Sequence, residues 1–266
     1  MIPFFRRIRQ GLLSNNKFSK YILYAVGEII LVVIGILIAL QINSWNREQE
    51  NRKQEQQILS QLSKEYRSNL SQIEDKIEIR NEVLSSCFSL LQYIKEDPAT
   101  VSGDSLDAHL FRISIRPTFD PELSVSNELI NSGKLYLLEN LDLRNKVSAF
   151  SSSLSELEEE ETAIFILTEE RLIPFLIENY QIGRMMMVLL DDEELRAKLT
   201  MGSLTQYENM MTLVPQADFT PLLKNPDFQD YLLQMISYTA YTNEQSEGVK
   251  EKIKDIIATI ENEIDD

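Results

Sequence analysis

Residues 21–42, YILYAVGEIILVVIGILIALQI, form an apolar run of 22 residues whose only charge is Glu28. A helix rising about 1.5 Å per residue covers roughly 33 Å over that run, enough to cross a hydrocarbon core of about 30 Å. No other segment combines such length with so little charge. The run therefore divides the chain into a basic head, residues 1–20, a single transmembrane helix, residues 21–42, and a body, residues 43–266.

The charges on its two sides are unequal. Residues 1–42 carry Arg6, Arg7, Arg9, Lys17 and Lys20 against Glu28, so the body holds the remaining 21 basic and 41 acidic residues, a net charge of −20. The excess of arginine and lysine before the span predicts a cytoplasmic head and a body outside the cytoplasm. Phe4, Phe5, Ile8, Leu12 and Leu13 can share one helix face while the arginines reach lipid headgroups, which makes the bilayer the first expected partner. Trp45, with Gln41 and Asn43, suits the headgroup level on the far side. A cleaved signal peptide has a charged start and an apolar core as well. Here the span is longer than a usual signal core, and the exit IALQINSW offers no small-residue pair at cleavage spacing, so an uncleaved anchor is expected. A body this acidic is repelled by DNA, RNA and anionic lipid, so no nucleic-acid partner is expected.

Within the span, 100° per residue puts Glu28, Val32, Gly35 and Ala39 on one stripe, with Ile29, Val33, Ile36, Leu37 and Leu40 on other faces. Small residues let a second helix approach closely, and a carboxyl group facing lipid is costly, so the stripe is expected to face protein. Three roles for Glu28 stand open: a structural one within a homo-oligomer, recognition of another membrane protein, or carriage of a proton.

The body reads as helical throughout. Leu59, Leu62, Tyr66, Leu70, Ile73, Ile77, Leu84, Cys87, Leu91 and Ile94 recur at steps of three and four, broken only at Arg80, which predicts one long amphipathic helix from Ser44 to about Glu96. A short helix follows from Ser105 to Ile115, then a turn, then another short helix ended by Gly133. Asn140 or Asp142 caps the next helix, which runs to about Tyr180 and should kink or open locally at Pro174. Residues 183–217 are the least legible part; Met185, Met186 and Met187 read as core filler or a soft contact surface and DDEELRAKL as a short helix. Asn225 and Pro226 open a last helix that reaches Ile264, with Gly248 a point of interruption. Three long amphipathic helices joined by short ones make an all-α, antiparallel bundle of coiled-coil character.

Little in the body suggests chemistry. Cys87 is the only cysteine and lies on an apolar stripe, which predicts a buried, inert thiol. His109 is the only histidine, so no zinc or catalytic pair can be built on it. Glu158 to Glu161 are consecutive carboxylates, which on a helix diverge rather than converge on an ion, and they read as a solvated face.

The run FFRRIRQGLLSNNKFSKYILYAVGEIILVVIGILIALQINSWN at 4–46 closely resembles the N-terminal signature of a bacterial membrane-anchored family common in the Bacteroidota, whose domain is of unknown function. Asn16, Lys17, Phe18, Ser19 and Lys20 before the span, and Gly27, Glu28 and Gly35 inside it, carry the likeness, with NELINSGKLYLLEN at 127–140 and LRNKV at 143–147 as looser features. The resemblance implies a single-span helical protein with its body in the periplasm, and it implies no reaction.

Together these readings lead to a membrane-anchored interaction or scaffold protein of the inner membrane that assembles through its transmembrane helix. It is expected to be no enzyme and to need no cofactor or metal. The alternative is an extracytoplasmic ligand-binding or sensor module acting through a membrane partner.

Overall fold

The computed structural model describes residues 18–191 and 214–264, and among these there is no strand. Helix α1 runs from Phe18 to Tyr93. It has no proline, and its two glycines, Gly27 and Gly35, fall in the apolar part. Near the N-terminus it is long and apolar enough to cross a membrane. The chain divides into two compact units that part between Gln57 and Ile58. The described part of the first is the beginning of α1, on which every large apolar side chain from Ile29 to Ile42 lies between 47% (Val33) and 74% (Leu31) exposed.

In the second unit α1 is followed by α2 (Gly103–Ile113), capped by Ser102, and α3 (Ser124–Asn131). Gly133 then turns the chain at φ +68°, a left-handed conformation that an L side chain resists, and a 3-10 turn, Lys134–Leu137, occupies what reads as a link. Asn140 caps α4 (Leu141–Phe150), its Oδ1 accepting from Leu143 N at 3.0 Å. A 3-10 turn (Ser151–Leu154) leads into α5 (Ser155–Leu167), a π-helical turn (Thr168–Leu172) and α6 (Ile173–Asn179). The expected single helix to Tyr180 is thus an unbroken succession of tighter and wider turns. Pro174 explains the wide one: it has no N–H to give the preceding turn and its ring crowds that turn's carbonyl, so the helix opens and Ile173 N bonds Thr168 O.

Helices α7 (Ile182–Asp191) and α8 (Thr220–Leu223) precede α9 (Pro226–Glu261), which Asn225 caps through a 3.0 Å bond from Asp227 N. Gly248, a weak point by propensity, does not interrupt α9. Val249, Ile253, Ile256 and Ile260 beyond it are buried, and their packing outweighs roughly 1 kcal/mol of lost helix propensity. The DDEELRAKL helix lies outside the described residues. Of the methionine cluster, Met185 is fully buried, as core filler should be.

Side-chain pairs give the directions. Arg67 meets Glu261, Arg80 meets Ser246, and Asn81 meets Asn243, so α9 runs antiparallel to α1. Asn140 meets Glu263 and Lys146 meets Asp255, so α9 is antiparallel to α4 as well. Helix α1 and the α4–α5 stretch are consequently parallel, with Tyr66 on Phe150 and Arg80 on Glu161. Between them the chain returns along α1 in extended form: Asp120 N bonds Gln72, Glu122 pairs with Asn69, and Val125 N reaches Glu65.

The core falls into two clusters. One holds Val83, Cys87, Leu90, Leu110, Ile164, Phe228 and Met235; the other holds Leu62, Tyr66, Ile73, Ile77, Val147, Leu157 and Val249 through Ile260.

Candidate functional site

Along each long helix the buried face changes character at the same level. On α1 the inward series is Ile73, Ile77, Arg80, Val83 and Cys87; on the turn before α5 and on α5 it is Leu154, Leu157, Glu161 and Ile164; on α9 it is Thr239, Thr242, Ser246 and Val249. The two apolar clusters are therefore separated by a polar layer. Arg80, which seemed to break the apolar stripe, lies on it. The buried residues just beyond are Val83 and Leu90 rather than Leu84 and Leu91, which lie half-buried beside them.

At the centre Arg80 and Glu161 form an ion pair, 1% and 6% exposed. Arg80 also donates to Ser246 Oγ at 2.6 Å and to Pro117 O at 3.1 Å. Glu161 accepts from Phe119 N at 3.1 Å on each oxygen. Four stretches of chain, α1, the return segment, α5 and α9, thus meet on one pair of charges. Burial pushes the Glu161 carboxyl above its usual range and the Arg80 guanidinium below its own, in each case against the attraction of the other. Arg80 Nε and the hydroxyls of Thr168 and Thr239 are buried without a hydrogen-bond partner among the described residues. This overturns the solvated-face reading for Glu161. It is one turn beyond Leu157 and shares that residue's inward direction, whereas Glu158 and Glu159 face outward.

Two further buried carboxylates tie the connections down. Glu65, 5% exposed, accepts from Val125 N (2.6 Å), Ser126 N (3.2 Å) and Ser126 Oγ (2.5 Å), and so supplies the N-terminal cap that Leu123 does not give to α3. Asp107 is fully buried and accepts from Tyr180 Oη (2.6 Å) and Arg184 Nε (3.0 Å), joining α2 to α7; burial raises its pKa against those donors. His109 lies half-buried against Ser86 (3.2 Å) and Tyr93, and burial, then Arg112, lower its pKa. Burial pushes the Cys87 thiol up to about 12. Among the described residues no group of three or more His, Cys, Asp or Glu side chains is placed to hold a metal ion.

A groove of about 520 Å³ opens between the return segment and the Ser151–Leu154 turn with α5, with Glu161 in its lining beside Phe119, Leu123, Leu154 and Phe165. Asp120 and Glu158 are its exposed carboxylates.

On α1, Val32 and Trp45 are exposed, 55% and 60%, and a Cβ added at Gly35 would meet nothing within 4 Å. Ala39 is exposed and Glu28 half-exposed. Lys20 is helical; Arg6, Arg7, Arg9 and Lys17 lie outside the described residues.

The model of a family of unknown function, DUF6090, matches residues 28–151, slightly less than half of the chain. The matched span takes in Glu28, Gly35, Arg80 and the segment 127–140. No curated protein and no solved structure matches the chain.

Proposed function

We propose that this protein is a membrane-anchored helical interaction protein of a bacterial inner membrane. Residues 21–42 cross the bilayer once, residues 1–20 stay in the cytoplasm, and residues 43–266 stand in the periplasm. Assembly, with further copies or with another membrane protein, runs through Glu28, Val32, Gly35 and Ala39, while Arg6, Arg7, Arg9, Lys17, Lys20 and Trp45 meet the lipid interfaces. The observation that supports this reading is the apolar length of α1, whose residues 21–42 carry Glu28 as their only charge and whose stretch from Ile29 to Ile42 is exposed on all faces. Surface of that kind is stable only in lipid or against another helix. We assign the body no catalytic role, because its buried carboxylates hold helices and connections together.

The test is crosslinking in native membranes, read by mass spectrometry. Gly35→Leu/Ala39→Leu should weaken the crosslinks of the wild type, and Glu28→Gln should separate recognition from packing. Unchanged crosslinking in the glycine and alanine variant refutes assembly through this stripe.

A further inference from the structure

We infer that the groove between segment 118–123 and α5 with the turn before it binds a small aliphatic amine carrying two or more ammonium groups. Its volume of about 520 Å³ is that of a small-molecule site. Leu123 and Phe165 offer apolar surface suited to methylene groups in a lining that also includes Thr118, Ser151 and Thr162, and Asp120 and Glu158 supply two exposed carboxylates. Glu161, also in the lining, adds no free charge, because Arg80 compensates it.

The nearby cation is already engaged: Arg116 pairs with Glu169 at 2.7 Å and lies over the Phe165 ring at 5.7 Å. Glu158 has no side-chain partner among the described residues, and Asp120 Oδ2 accepts from the Thr118 hydroxyl at 3.1 Å. Two rim anions with no counter-charge among the described residues select a cation, and a body of net charge −20 concentrates polyvalent cations around it. Leucine and phenylalanine beside the carboxylates argue for an organic cation. A hydrated divalent metal ion gains nothing from leucine and phenylalanine, whereas an alkyl chain between two ammonium groups buries its methylenes there.

The experiment is calorimetric titration of the full chain in detergent with spermidine. Asp120→Asn/Glu158→Gln should weaken binding about tenfold, two exposed charge pairs each contributing somewhat under 1 kcal/mol. Glu244→Gln/Glu251→Gln, which removes the same charge from α9 outside the groove, should bind as the wild type does. Both replaced pairs are exposed, and circular dichroism checks that each variant keeps its helix content. The proposal is overturned if the wild type fails to bind spermidine, or if the two variants are weakened equally, which would mean diffuse attraction. It is equally overturned if butylamine, with one ammonium group, or Mg²⁺ binds as tightly, or if a lysine-rich peptide binds where spermidine does not.

Discussion

Replacing Glu161 with leucine should destabilise the body by about 3–5 kcal/mol, because it strands a charge where water cannot reach it. The Arg80 side chain is 1% exposed and would keep its bonds to Ser246 and Pro117 O but lose its counter-charge. Phe119 N would lose its acceptor as well, which accounts for about 1–2 kcal/mol of the total. Arg80→Met/Glu161→Leu should behave differently. Burial already holds the carboxyl above and the guanidinium below their ordinary pKa ranges, so each charge is less stable here than in water despite its partner. Removing both should recover the part of the loss that comes from the stranded charge, leaving a deficit of about 1–2 kcal/mol from the unpaired Phe119 N. A double-mutant cycle measures this, using urea unfolding of the full chain in detergent followed by the near-ultraviolet dichroism of its buried tyrosines. A single variant costing under about 1 kcal/mol, or a double variant no better than the single, refutes the reasoning. The pH dependence has a definite sign. Glu161 and Asp107 have folded pKa values raised above their unfolded ones, so the folded state keeps protons that the unfolded state releases. The stability they contribute is present below the ordinary carboxylate range and lost as pH rises through the raised values. Unfolding free energy should therefore gain from these two groups as pH falls through their raised values to the ordinary carboxylate range, and the double variant should lose the Glu161 share.

Glu65→Ala should cost about 1–2 kcal/mol by uncapping α3, seen as a lowered urea midpoint and faster amide exchange at Val125 and Ser126. Cys87, fully buried with its thiol pushed up to about 12, should resist maleimide in the native protein and react at once in urea; rapid native labelling would contradict the core placement. Gly248→Ala should raise stability by about 0.5–1 kcal/mol, since an added Cβ meets nothing within 4 Å and the site is helical, and the thermal midpoint reports it.

The local signals in the chain were readable without coordinates. The turn at Gly133, the Asn140 cap and the Asn225–Pro226 start depend on contacts within a few residues, and all three appear in the structure. The apolar span and the repeat of three and four likewise need only helix geometry. Where two signals competed, the reading faltered. Gly248 favours a break in isolation, but the buried isoleucines that follow carry α9 through it. Arg80 was visible as an irregularity, and only its partner shows what it is.

That partner is 81 residues away, at the end of an acidic run that looks solvated from the sequence. A carboxylate's burial depends on which helix lies opposite, and hydrophobic periodicity does not encode this at a charged position. The groove depends in the same way on the return of segment 118–123 along α1, held by Gln72, Asn69 and Glu65. The sequence by itself determined the apolar length of α1, the helical class and the ends of several helices, because those follow from the short-range geometry of one chain. Tertiary structure alone decided the parallel course of α1 and α5, the polar layer between two cores and the site beside it, because each is a meeting of residues from different elements.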